Sequence, residues 1–155
     1  MTTSTAAHDT FVIERDYDIP VAEIFRAWAD PQLKARWFAG STDALGESYE
    51  LDFRVGGREA SRGGPPGGPI YTYESVFRDI VPGQRIVYTY EMHADDDRIS
   101  VSVATVEFRG DGSTTHLRLT EQGVFLDGHD TSAQREEGTR SLLDTLGTSL
   151  RGDVG

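Results

Sequence analysis

The sequence predicts an α+β domain in which a curved antiparallel sheet of about six or seven strands wraps around one long C-terminal helix. Three observations carry that expectation. Apolar residues alternate with polar ones in short runs that are separated by Gly and Pro turn signals. Two short amphipathic segments follow the first run, and neither has the length of a crossover helix between parallel strands. Only one long helical pattern occurs, from Thr131 to Leu150.

Taken in order, residues 1–9 are small and polar and read as a flexible tail, with a single domain over 10–152. From Thr10 to Ile19, Phe11, Ile13, Tyr17 and Ile19 alternate with polar neighbours or Val12, which is strand periodicity. Arg15 is the misfit on the apolar side and by alternation points inward. Pro20 opens a short helix with Val21, Ile24, Phe25 and Trp28 on one face. Asp30-Pro31 starts a second, with a capping carboxylate and a proline at the first helical position. Leu33 and Trp37 lie on its buried side.

A run of strands follows. Tyr49, Leu51, Phe53 and Val55 alternate up to Gly56-Gly57, and a third short strand precedes the loop Gly63 to Pro69. Ile70 to Ile80 and Arg85 to Met92 flank the turn Val81-Pro82-Gly83-Gln84. Ile99 to Phe108 and Thr114 to Gln122 flank Gly110-Asp111-Gly112. The apolar phase switches near Ala104–Thr105, which predicts a bulge or bend there.

In the last segment Thr131 and Gln134 fit a capping box at the helix start. Leu142, Leu143, Leu146 and Leu150 make one apolar stripe. One and two turns earlier the same face carries Gly138, Thr139 and Arg135. A helical glycine costs about 1 kcal/mol against alanine, so Gly138 needs a reason. Close packing against another backbone is one; room for a bound molecule is the other.

Composition narrows the function classes. The 155 residues carry a net charge of -11, which argues against nucleic acid and anionic membranes as partners. Arginine outnumbers lysine 14 to 1, and cysteine is absent, which excludes disulfides and thiolate chemistry. The first residues lack a basic and apolar leader, and no apolar run reaches membrane-spanning length. A cytoplasmic protein without membrane insertion is expected.

Several stretches together resemble the activator of Hsp90 ATPase homologue-like proteins of the START-related helix-grip superfamily. They are Ile19-Pro20-Val21 with Phe25, Trp28, Asp30-Pro31 and Trp37, then Asp52 through Arg58, and Asp79 through Thr89. Leu117 through Gly123 and the C-terminal helix complete the pattern. The resemblance implies a helix-grip fold with a cavity between the sheet and the last helix. It departs from relatives at Glu59, where an aromatic residue is common, and at Gly138-Thr139, where Gly-Trp is common. Both changes imply a roomier or more polar cavity.

Glu59 and Glu121 are expected to face inward, with Arg135 or Arg15 as a partner. Such a polar set serves as a structural ion pair, a ligand-orienting patch or an acid–base device. Tyr73, Tyr88 and Tyr90 supply rings and hydroxyls either to the core or to a pocket, and Trp37 lies near an entrance. The candidate ligand-binding set is Trp37, Phe53, Glu59, Tyr73, Tyr88, Tyr90, Leu119, Glu121, Arg135 and Gly138. His129 stands between helix-capping aspartates, and the scattered histidines lack ligand spacing, so no metal or cofactor is expected. The glycine-rich loop after Arg62 lacks the Lys-Ser/Thr of a phosphate loop.

The leading expectation is binding of a small hydrophobic or lipid-like molecule in the cavity. A cyclase- or dehydratase-type enzyme using Glu59 or Glu121 is the alternative, and a stress-related, chaperone-interacting protein is a third. Exposed strand edges are compatible with a homodimer.

Overall fold

Strand pairing begins earlier in the chain than its apolar residues do. In the computed structural model, which describes residues 3–44 and 46–151, β1 spans Ala6–Tyr17. Ala6 to Asp9 pair with Leu126 to Gly123, so the ladder enters the stretch expected as a tail. These residues are exposed, and backbone pairing alone holds them. Two helices follow, α1 (Val21–Ala29) and α2 (Pro31–Phe38). Asp30 caps α2 by accepting from the backbone N–H groups of Gln32 and Leu33, at 2.9 and 3.2 Å.

The remaining strands are β2 (Tyr49–Leu51), β3 (Arg58–Gly63), β4 (Tyr71–Val81), β5 (Arg85–Ala94), β6 (Asp97–Asp111) and β7 (Thr114–Leu126). They form one antiparallel sheet in the order β1-β7-β6-β5-β4-β3-β2. The last helix, α3 (Ser132–Leu150), packs against α2 and β1. This is the helix-grip α+β fold expected from sequence.

Two local expectations are corrected. The alternation through Val55 does not make a strand: β2 stops at Leu51, and Val55 is exposed. The chain turns instead so that Gly56 N–H donates to the Phe77 carbonyl at 2.8 Å and Phe77 N–H returns to Gly57 O at 3.0 Å. A Cβ on Gly57 would lie 2.1 Å from the Asp52 carbonyl oxygen, so only glycine fits this turn. Similarly, no register shift occurs at Ala104–Thr105. The shift lies at Met92/His93 on β5, opposite Arg98 to Ser100. Ser100, Ser102, Ala104, Val106 and Phe108 all face inward, while Val101 is exposed. Small serines on the inner face and valines on the outer one invert the apolar pattern in the first half of β6.

The core lies between the concave sheet and the helices. Ile13, Ile24, Ile86, Leu117, Leu119, Leu143 and Leu146 are sealed within it. Trp28 sits at its centre, edge-on to Trp37 and Phe108 with ring centroids 4.9 and 6.2 Å apart. Leu142 and Leu150, the flanks of the predicted stripe, are partly buried against it.

Candidate functional site

Thr131 caps α3 by accepting from Gln134 N–H at 3.1 Å, while its own N–H donates to Asp130 Oδ1 at 2.8 Å. From that start the helix runs over the sheet, and its two halves do different things. Leu143 and Leu146 plug the core, and the Tyr17 hydroxyl donates to the Leu143 carbonyl at 2.8 Å. Gly147 lies so close to Tyr17 that an added Cβ would sit 3.0 Å from the ring. Nearer the start of the helix, one turn before the core plug, the contact is lost: a Cβ on Gly138 would meet nothing within 4 Å. Of the two reasons considered for Gly138, close packing is therefore not met there and open space is; close packing occurs at Gly147 instead.

That space is a cavity of about 300 Å³. Gly138, Thr139, Leu142 and Leu143 of α3 roof it, and Trp28, Trp37 and Phe38 wall one side. Tyr73, Tyr88, Tyr90 and Met92 form the sheet side, with Leu119, Glu121 and Arg135 completing it. The rings stack as a continuous layer: Phe38 to Tyr73 is 5.0 Å, Tyr73 to Tyr90 4.9 Å and Tyr88 to Tyr90 6.1 Å between centroids. Of the candidate residues, Trp37, Tyr73, Tyr88, Tyr90, Leu119, Glu121, Arg135 and Gly138 line it. Phe53 does not. It packs edge-on between Phe25 and Phe77, at 5.8 and 5.0 Å.

The polar end of the cavity is built around Glu121, which is almost fully buried. Tyr90 donates its hydroxyl hydrogen to Glu121 Oε2 at 2.6 Å, and Arg135 Nη1 lies 3.8 Å from the same oxygen. Both of these partners approach Oε2 and neither approaches Oε1. Arg135 is itself heavily used. It donates to the Tyr90 hydroxyl at 2.9 Å, to Ser100 Oγ at 2.9 Å and to Asp130 Oδ2 at 3.0 Å. Its guanidinium also lies over the Tyr90 and Phe125 rings.

Burial pushes the Glu121 carboxyl above its ordinary pKa, and the Tyr90 hydrogen bond and the Arg135 charge offset this only in part. Burial pushes the Tyr90 hydroxyl well above the usual range, so it stays protonated and donates. The buried serines of β6, which reverse the apolar phase of the strand, lie beside this cluster.

Glu59 faces inward as expected but belongs elsewhere. Its Oε1 accepts from Lys34 Nζ at 2.8 Å and its Oε2 from the Tyr49 hydroxyl at 2.5 Å. Lys34 and Glu59 are both sealed from solvent. The ammonium lies over Phe38, Trp28 and Trp37, at 4.6, 4.9 and 5.6 Å from the ring centroids, with Tyr88 at 6.0 Å. Burial lowers the lysine pKa, and the Glu59 charge raises it in opposition. The single polar set expected from sequence is therefore two: Glu121 with Tyr90 and Arg135, and Glu59 with Tyr49 and Lys34. Arg15 joins neither; it bonds Asp144 of α3 at 2.8 Å on the exposed side.

Lys34 went unnoticed in the sequence. The signal was its place three residues before Trp37 and four before Phe38, on the helix face that carries the aromatic rings.

The curved antiparallel sheet and the long helix that it grips define the helix-grip class of α+β domains. Within it, the chain belongs to the family of Activator of Hsp90 ATPase homolog 1-like proteins, whose model matches residues 18–151. It is similar to the crystal structure of protein Mll3558 from Rhizobium loti, at 43% identity and a TM-score of 0.86, over 94% of this chain and 99% of that one. A protein from Rhizobium leguminosarum is 41% identical with a TM-score of 0.90, over 97% of this chain and 99% of that one. DynU16, a protein in the dynemicin biosynthetic locus, shares the fold at 17% identity and a TM-score of 0.67, over 93% of this chain and 48% of that one. No curated protein matches the chain. No helix among the described residues is long and apolar enough to cross a membrane.

Proposed function

We propose that this protein binds a small, largely apolar molecule in the cavity between the sheet and α3. The observation that carries the reading is the open space beneath Gly138, inside an otherwise tightly packed core. Its volume of about 300 Å³ lies at the lower end of small-ligand pockets, and an aromatic wall with a few placed polar groups is what such pockets use. Replacing Gly138 by leucine fills that space from the roof. Phenylbutanol titrated by calorimetry is expected to bind the wild-type protein and to lose binding in Gly138→Leu, with the circular dichroism of the variant unchanged. Equal binding by both would remove the cavity as the site.

Glu121 supports a second reading, acid–base chemistry of the cyclase or dehydratase type. A buried carboxyl with a raised pKa, lining a cavity, is what a general base requires. Glu59 no longer serves in that role, since both its oxygens are occupied by Lys34 and Tyr49. Mass spectrometry of a cavity ligand before and after incubation separates the readings. Chemical change that Glu121→Gln abolishes favours the enzyme; an unaltered ligand mass favours the carrier.

A further inference from the structure

The cavity's charges point to the kind of head group it accepts. Its charged lining residues are Glu121, Asp130 and Arg135, two carboxylates against one guanidinium. Arg135 gives three of its five N–H donors to Tyr90, Ser100 and Asp130, and stays 3.8 Å from Glu121. Tyr90 and Arg135 both approach Glu121 at Oε2, which leaves Oε1 without either of them. The neighbouring Lys34–Glu59 pair adds no net charge, because each member neutralises the other at 2.8 Å.

The protein holds an example of what would satisfy such a carboxylate. At Glu59 one oxygen takes a tyrosine hydroxyl and the other an ammonium, which is surrounded by aromatic rings. Glu121 repeats the first half of this arrangement with Tyr90, and the rings of Tyr73, Tyr88 and Tyr90 stand beside it. An alkylammonium group reaching Oε1 would complete the second half. It would gain a charge-assisted hydrogen bond and cation–π attraction.

We propose that the cavity selects amines, taking an apolar, preferentially aromatic body that carries one ammonium group paired with Glu121. This rests on the reading of the cavity as a ligand site. An anionic head is disfavoured, since it would face Glu121 and Asp130 and compete with them for the single guanidinium of Arg135.

Three probes with one body and different heads test the proposal on the wild-type protein: phenylbutylamine, phenylbutanol and phenylbutyrate, titrated by calorimetry at neutral pH. The amine is expected to bind at least about tenfold tighter than the alcohol, and phenylbutyrate most weakly. In Glu121→Gln the amine-to-alcohol ratio should fall towards one. An alcohol that binds as tightly as the amine overturns the charge preference and leaves the cavity standing. Tightest binding by phenylbutyrate overturns it in favour of Arg135 as the anchor. If none of the three binds, the cavity reading falls together with the proposal. The wild-type series decides these outcomes even if Glu121→Gln does not fold.

Discussion

Lys34 Nζ lies 2.8 Å from Glu59 Oε1, and neither side chain reaches solvent. The pair ties α2 to β3 across 25 residues of chain, and it is the only use the protein makes of lysine. Taking two charges out of water is expensive, and the attraction between them repays this only with good geometry and satisfied hydrogen bonds. Here Tyr49 satisfies the second carboxylate oxygen, and four aromatic rings surround the ammonium.

It follows that breaking the pair is worse than removing it. Lys34→Met should destabilise the fold by about 3–5 kcal/mol, because Glu59 is left buried without a cation. Adding Glu59→Gln to that variant should restore more than half of the loss, since a neutral amide still accepts from Tyr49. Urea unfolding of the two single variants and the double variant closes the cycle. Additive losses would show that the charges do not interact.

Arg135 performs a comparable task less completely. It holds the first turn of α3 to β5 and β6 through Tyr90 and Ser100, and its departure would leave Glu121 without a cation. Arg135→Met should cost about 2–3 kcal/mol, less than Lys34→Met because the site is partly open and Glu121 can take up a proton. Amide hydrogen exchange should rise at the start of α3 and stay unchanged near Leu143 and Leu146. Uniform exchange along the helix would refute this local role.

How legible these features were in the sequence follows from how far apart their parts lie. Helix α3 and the inward carboxylates came through because periodicity is a local property: Leu143 and Leu146 repeat at helical spacing, and Glu121 continues the phase of Leu117 and Leu119, whereas Gly138 left close packing and open space undecided. The partner of Glu59 did not, since nothing local links residue 59 to residue 34. Ser100 and Ser102 misled for a physical reason. They are inward because Arg135 and Glu121 need polar neighbours, whereas alternation assigns inward positions to valines. The stop of β2 at Leu51 was hidden too, because Phe53 and Val55 keep the alternation while Gly56 and Gly57 divert the backbone to Phe77.

The raised pKa of Glu121 makes stability depend on pH, and the sign is fixed. The folded state holds the proton more tightly than the unfolded chain, whose carboxyl has the ordinary value of 4.5. Between that value and the higher folded pKa, the folded protein binds more protons, so stability falls as pH rises. Below the unfolded value Glu121 contributes no penalty. Unfolding measured from about pH 4 to pH 8 should show the advantage of Glu121→Gln over the wild-type protein growing with pH and then levelling. A difference independent of pH would mean that Glu121 keeps one protonation state throughout.

Two glycines of α3 should respond oppositely to one added methyl group. At Gly138 an alanine Cβ enters open space, and helix propensity favours it by about 1 kcal/mol. Gly138→Ala should therefore stabilise the protein, while the single methyl removes only a small part of a cavity of about 300 Å³. At Gly147 the Cβ would lie 3.0 and 3.1 Å from two Tyr17 ring carbons. That ring has little freedom to yield, because β1 holds its backbone against β7 and its hydroxyl is bonded to Leu143 O at 2.8 Å. Overpacking of this kind costs about 1–3 kcal/mol, which outweighs the propensity gain. Thermal unfolding of the two variants should move the midpoint up for Gly138→Ala and down for Gly147→Ala. If both rise, Tyr17 has given way and the helix is held less firmly than its contacts imply; if both fall, Gly138 makes a close contact after all.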